Sequence, residues 1–195
     1  MSRNARILVA IAAVLMTTAY IFPLWRISLI APQYPEGLGM LIRINNIVGI
    51  KEMDLRSING LNHYIGMKEI VPESIPELRF MPMLLGAAIV TGLGVAALGR
   101  KWLLVGWAAA LALLMAAGLV DFWKWGYDYG HTLDPHAIIS IPGMSYQPPI
   151  IGSKQLLNFT ATSWPDIGGW ALIVATALVA AAVYLSLFPK KPTPS

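Results

Sequence analysis

The sequence predicts an all-α membrane protein of four transmembrane helices. Both termini are expected in the cytoplasm, with two long periplasmic segments, the first containing a small β-hairpin. Three observations predict this. The 195 residues are 56% hydrophobic and only 12% charged, with a mean hydropathy of +0.62, whereas soluble domains run near a quarter charged. Four uncharged stretches, at about 7–24, 80–98, 102–120 and 167–188, approach the roughly 20 residues that an apolar core about 30 Å thick requires. Basic residues are also unevenly placed. Arg3, Arg6, Arg100, Lys101, Lys190 and Lys191 flank the stretches without any acid, segment 25–79 carries six basic and six acidic residues, and segment 121–166 carries two against four. By the positive-inside rule, that asymmetry orients the chain with its long segments outside.

Taken in order, the first apolar stretch follows Arg3 and Arg6 like the core of a signal peptide. It runs into Tyr20-Ile-Phe-Pro-Leu-Trp25 without a small-x-small cleavage site, so an uncleaved anchor is expected. Trp25-Arg-Ile-Ser-Leu-Ile30 and Leu38-Gly-Met-Leu-Ile-Arg-Ile44 flank the turn formers of Ala31-Pro-Gln-Tyr-Pro-Glu-Gly37 and predict a β-hairpin over 25–44. Val71-Pro-Glu-Ser-Ile-Pro-Glu-Leu78 predicts a short amphipathic turn into the second span. Gly99-Arg-Lys101 leaves room only for a tight antiparallel connection between spans two and three.

The aromatic run Asp121-Phe-Trp-Lys-Trp-Gly-Tyr-Asp-Tyr-Gly-His131 continues the third helix past the interface, until Gly126 or Gly130 ends it. The rest of 121–166 is rich in Pro and Gly and is expected to be irregular rather than strand-rich, with a short surface helix at 154–159. Asp166 is placed to cap the fourth span. The whole of 1–195 reads as a single membrane domain.

The absence of cysteine removes disulfides, thiolate metal sites and cysteine nucleophiles. No phosphate-binding loop, nucleophile elbow or zinc-protease motif is present, nucleic-acid binding has no support, and no ionisable residue interrupts a span. An enzyme is therefore not expected. What remains is soft-metal chemistry: His63, His131 and His136, with Met40, Met53, Met67 and Met144, all fall in the outer segments. Imidazole and thioether together suit Cu(I), and His63-x-x-x-Met67 is compatible with a shared site. The alternative is that these side chains cap turns and fill gaps in packed loops. Asp121 with Lys124 invites a quinol-site reading, against the plainer one of an interfacial ion pair.

Several phrases carry a family resemblance: Ala31-Pro-Gln-Tyr-Pro-Glu-Gly37, Asn59-Gly-Leu-Asn-His-Tyr-Ile-Gly-Met67, Asp121-Phe-Trp-Lys-Trp125, Tyr129-Gly-His131, Leu133-Asp-Pro135, Pro142-Gly-Met144, Tyr146-Gln-Pro-Pro149 and Pro165-Asp-Ile-Gly-Gly169. With these the chain resembles a family of small bacterial four-span membrane proteins found beside the genes for nitrous-oxide reductase and its periplasmic copper chaperone. The resemblance implies an inner-membrane accessory protein supporting a periplasmic copper enzyme, by Cu(I) handling or chaperone docking. It singles out His63, Met67, His131 and Met144 for a copper-binding or partner-contact role, with His136 outside the shared phrases. The competing reading is a non-catalytic structural subunit of a membrane respiratory or copper-oxygenase complex. The partners implied are the lipid bilayer and either the chaperone, the copper enzyme or other membrane subunits.

Overall fold

The computed structural model describes residues 1–188; Lys190 and Lys191 of the expected basic tail lie outside the described residues. The helices are α1 (Arg3–Met16), α2 (Asp54–Tyr64), α3 (Glu77–Leu98), α4 (Lys101–His131) and α5 (Ile167–Leu187). The strands are β1 (Trp25–Ala31), β2 (Tyr34–Ile42), β3 (Ile47–Gly49), β4 (Gly152–Leu156) and β5 (Phe159–Pro165). They form one antiparallel sheet in the order β3-β2-β1-β5-β4.

This overturns the all-α four-span expectation. The architecture is mixed α/β, and three helices, α3, α4 and α5, are long and apolar enough to cross a membrane. The first apolar stretch falls short because its α-helix has 14 residues, about 21 Å of rise against a core of about 30 Å. The Thr17 and Thr18 hydroxyls then donate to Val14 O and Leu15 O, and the chain tightens into a 3₁₀ turn, Thr17–Tyr20. Side-chain hydroxyls that bond back to the preceding turn compete with regular helix in this way.

α1 is instead the inner element of the helical bundle. Ala5, Val9, Ala12 and Met16 are fully buried among residues of α3, α4 and α5, and the alanines allow close approach of the neighbouring backbones. α3, α4 and α5 turn apolar side chains outward, with Val90 and Leu113 about 70% exposed (68% and 72%), as a surface facing lipid would. Arg6 donates to Ala96 O and Ala97 O, and the Met1 ammonium to Gly99 O, all at 2.8 Å. These cations satisfy the open carbonyl end of α3. Met1 and the α3–α4 connection therefore share one end of the bundle, with the sheet at the other.

β1 and β2 pair as a hairpin within 25–44, with Trp25 opposite Ile42 and Leu29 opposite Leu38. The other edge of β1 pairs with β5, from Trp25 opposite Pro165 to Ile30 opposite Thr160, so the two outer segments build one sheet. Segment 121–166 is thus not irregular throughout, and the surface helix expected at 154–159 is the β4–β5 hairpin, turning at Leu157 with φ 55°. Phe159-Thr-Ala-Thr-Ser-Trp alternates, burying Ala161 and Ser163 completely, which is strand rather than helix periodicity.

α2 lies over β2 and β3. Its Asp54 carboxylate accepts from Gly39 N at 3.0 Å and Lys51 N at 3.1 Å, and Asn59 exchanges two hydrogen bonds with the Ile70 backbone. A second core, including Ile27, Leu38, Met40, Ile47 and Ile58, fills the space between them.

Candidate functional site

The site is built by the overhang of α4. At 31 residues the helix is about 46 Å long, well beyond an apolar core of about 30 Å. Neither Gly126 nor Gly130 ends it, contrary to expectation. Gly130 instead serves close packing: an added Cβ would lie 2.3 Å from Gln147 N, and Gly130 O accepts from Tyr146 N at 2.9 Å. The last three turns carry Trp125, Tyr129 and His131 into the sheet layer. Segment 134–146 returns across them, tied by Asp134 N to Gly66 O at 2.8 Å and Ile139 N to Tyr64 O at 2.9 Å.

Two adjoining clefts result, each of about 420 Å³, with Ile65 and Ile139 lining both. The first lies between the sheet, α2, α4 and the 146–148 segment, and its walls are apolar and aromatic. The second is more polar and opens beside His131, Asp134 and Met144.

The predicted ligands divide between them. His131 and Met144 line the second cleft. Met67 lines the first. His63 is exposed, edge-on to the Tyr64 ring at 6.2 Å, and lines neither cleft. His136 is also exposed, with its Nδ1 3.5 Å from an Asp134 oxygen.

His131 stacks on the Tyr127 ring at 4.0 Å, and its Nδ1 lies 3.0 Å from Tyr127 O. A carbonyl only accepts, so Nδ1 carries the proton and Nε2 presents its lone pair when the ring is neutral. That is the arrangement in which a backbone carbonyl orients a metal-binding imidazole. Among the described residues no group of three or more His, Asp or Glu side chains is placed to hold a metal ion; His131, Asp134 and Met144 line the second cleft together. Asp121 and Lys124 form no ion pair among the described residues.

Sequence reasoning missed two buried polar groups on residues packed around the first cleft. Tyr146 is 2% exposed and its hydroxyl has no hydrogen-bond partner; Trp125 Nε1 is buried too, with the Tyr129 phenol as its hydrogen-bonding neighbour. Burial holds the Tyr146 phenol above the ordinary tyrosine range, so it is a neutral donor. The available signal was Trp125 and Tyr129 four residues apart, with Gly126 and Gly130 beside them, which puts an aromatic stripe next to a small-residue stripe on one helix. No family model, curated protein or solved structure matches the chain.

Proposed function

We propose that this chain is a membrane-anchored, non-catalytic accessory protein of the bacterial inner membrane, binding Cu(I) beside His131 and Met144 in support of a periplasmic copper enzyme of the nitrous-oxide reductase type. The observation that carries the reading is the second cleft, where an imidazole with a preset tautomer and a thioether line the same space. Nitrogen and thioether donors without cysteine suit Cu(I) in an oxidising compartment. Arg3, Arg6, Arg100 and Lys101 gather at the end of the bundle away from the sheet, which supports a periplasmic sheet and cytoplasmic termini. Met67 belongs to the neighbouring cleft, and the exposed His63 has no part in the proposed site.

The test is competition of the detergent-purified protein with a chromophoric Cu(I) chelator. Near-stoichiometric binding is expected, weakened about tenfold or more by His131→Ala or Met144→Ala, since even outer-shell partners cost 10–100-fold, and unchanged by His63→Ala. Absence of saturable binding, or equal binding by all variants, refutes the copper reading.

One observation favours the competing reading of a docking subunit. Ile138, Ile141 and Ile151, between 45% and 70% exposed, crowd the same outer end of the protein, and apolar patches of this kind mark interaction surfaces. Copurification of a large membrane partner from native membranes, without copper, would favour it.

A further inference from the structure

The first cleft is independent of the copper reading. None of its lining residues is an acid, a lysine, an arginine or a histidine, so a charge taken inside would find no partner. Its walls are mostly aliphatic, and at about 420 Å³ it falls in the range of small-molecule sites. Protein interiors hold few voids larger than a water molecule, and apolar cavities that do exist stay dry and take apolar guests.

Where the cavity opens decides what can enter it. Its exposed lining includes Gln33 and Asn158. Gln33 sits in the β1–β2 turn, closed by Ala31 opposite Tyr34, and Asn158 in the β4–β5 turn, closed by Leu156 opposite Phe159. β1 and β5 pair with Ile30 opposite Thr160, so both turns stand at one end of the sheet. The other end, with Trp25 opposite Pro165, leads into the helical bundle. The cavity therefore opens away from the bilayer, past two uncharged amides. Beneath them the lining is buried: Ile27 and Ala161 are 2% and 0% exposed.

We propose that this cavity takes the single aliphatic chain of an amphiphile from the aqueous side, with the polar head left at the Gln33–Asn158 rim. A chain needs no polar partner inside, because removing apolar surface from water is a non-directional gain. At the roughly 30 Å³ that a water-sized group occupies in a liquid, the space admits about a dozen methylenes, one chain rather than the two of a bilayer phospholipid. Met40 and Met67 line it, and flexible thioethers adapt to a guest without a fixed shape.

The test is fluorescence titration of the full chain with dansyl-undecanoic acid. The protein is held in lipid nanodiscs so that detergent chains do not compete, and empty nanodiscs report partition into lipid. Unlabelled fatty acids from octanoate to hexadecanoate then displace the probe. Gly126→Leu and Ala161→Leu fill the cavity from α4 and from β5; a Cβ at Gly126 meets nothing within 4 Å, so the larger side chain has room to grow inward.

Saturable binding is expected. Affinity should rise about fourfold per added methylene up to about a dozen carbons and then level off, as the space fills. Each filling variant should weaken binding about tenfold or more, the loss of room for two methylenes, with its thermal transition retained. If one variant fails to fold, the other decides. Fluorescence that matches empty nanodiscs, affinity that keeps rising through hexadecanoate, or unchanged binding by a folded variant overturns the proposal. Cu(I) affinity is a separate readout, so either proposal can fail alone.

Discussion

Gly126 and Gly130 occupy the same helix one turn apart, yet alanine at the two positions should shift stability in opposite directions. At Gly130 the new Cβ would stand 2.3 Å from Gln147 N and 2.5 Å from Gln147 Cα. Relieving that overlap moves the 144–148 segment by about 1 Å, since carbon contacts settle near 3.5–4.0 Å. The neighbour is backbone, so it cannot rotate aside. The bond from Tyr146 N to Gly130 O would be lost, at about 0.5–1.5 kcal/mol, and unseating the Tyr146 ring would add about 1–2 kcal/mol of lost burial.

Against this, exchanging Gly for Ala inside a helix returns about 0.5–1 kcal/mol. The net is a loss of about 1–2.5 kcal/mol, or roughly 2–10 °C in Tm for a chain of this size. Gly126→Ala meets nothing within 4 Å and keeps only the gain, raising Tm by about 1–4 °C. Thermal unfolding of both variants in the same detergent, followed by near-ultraviolet circular dichroism, decides it. A Gly130→Ala protein as stable as the wild type, or two variants that fall together, would refute the packing of segment 144–148 on α4.

The remaining predictions concern buried polar groups. Asp54→Ala strands two amides, those of Gly39 and Lys51, and should cost about 2–4 kcal/mol; hydrogen exchange at Gly39 should accelerate accordingly, while Asp54→Asn, which keeps an acceptor oxygen, should lose less. Tyr146→Phe removes a hydroxyl that has no partner and should raise stability by about 1–3 kcal/mol. Burial raises the Tyr146 pKa in the folded state. Its stabilisation is therefore present in full below about pH 10 and is lost as the pH climbs through the higher folded value. Wild type should then lose more Tm than Tyr146→Phe between about pH 9 and pH 11.

The apolar helices were legible because lipid-facing helices announce themselves by length and composition, and the 25–44 hairpin because Trp25 to Ile30 alternates around strong turn formers. The Asp166 cap was legible too: its Oδ1 accepts from Ile167 N at 2.7 Å. The length of α1 was misread because hydropathy cannot see the Thr17 and Thr18 hydroxyls turning back on the helix. The β4–β5 hairpin was missed because Pro and Gly density masked a strand whose partner, β1, lies 134 residues away at Ser28–Thr162. Gly130 was read as a helix stop, since a residue's need for space depends on what approaches it, and Gln147 is distant in sequence. Of the four residues singled out for copper, spacing brought His63 near Met67 in sequence, but the face of α2 directs His63 outward. His131 and Met144, thirteen positions apart, meet one cleft only because the chain folds back across the end of α4.

Tyr146 joins these strands of argument. Its ring is needed for packing, and phenylalanine would pack almost as well, so the hydroxyl adds nothing to the ligand-free core. A buried, unpartnered hydroxyl costs about 1–3 kcal/mol, a sizeable fraction of a typical folding free energy of about 5–15 kcal/mol. Tyr146 lies on the loop that folds back over the end of α4, held there by its own N–H to Gly130 O at 2.9 Å. Local polar imperfection of this kind concentrates where a structure is prepared for something it does not itself contain.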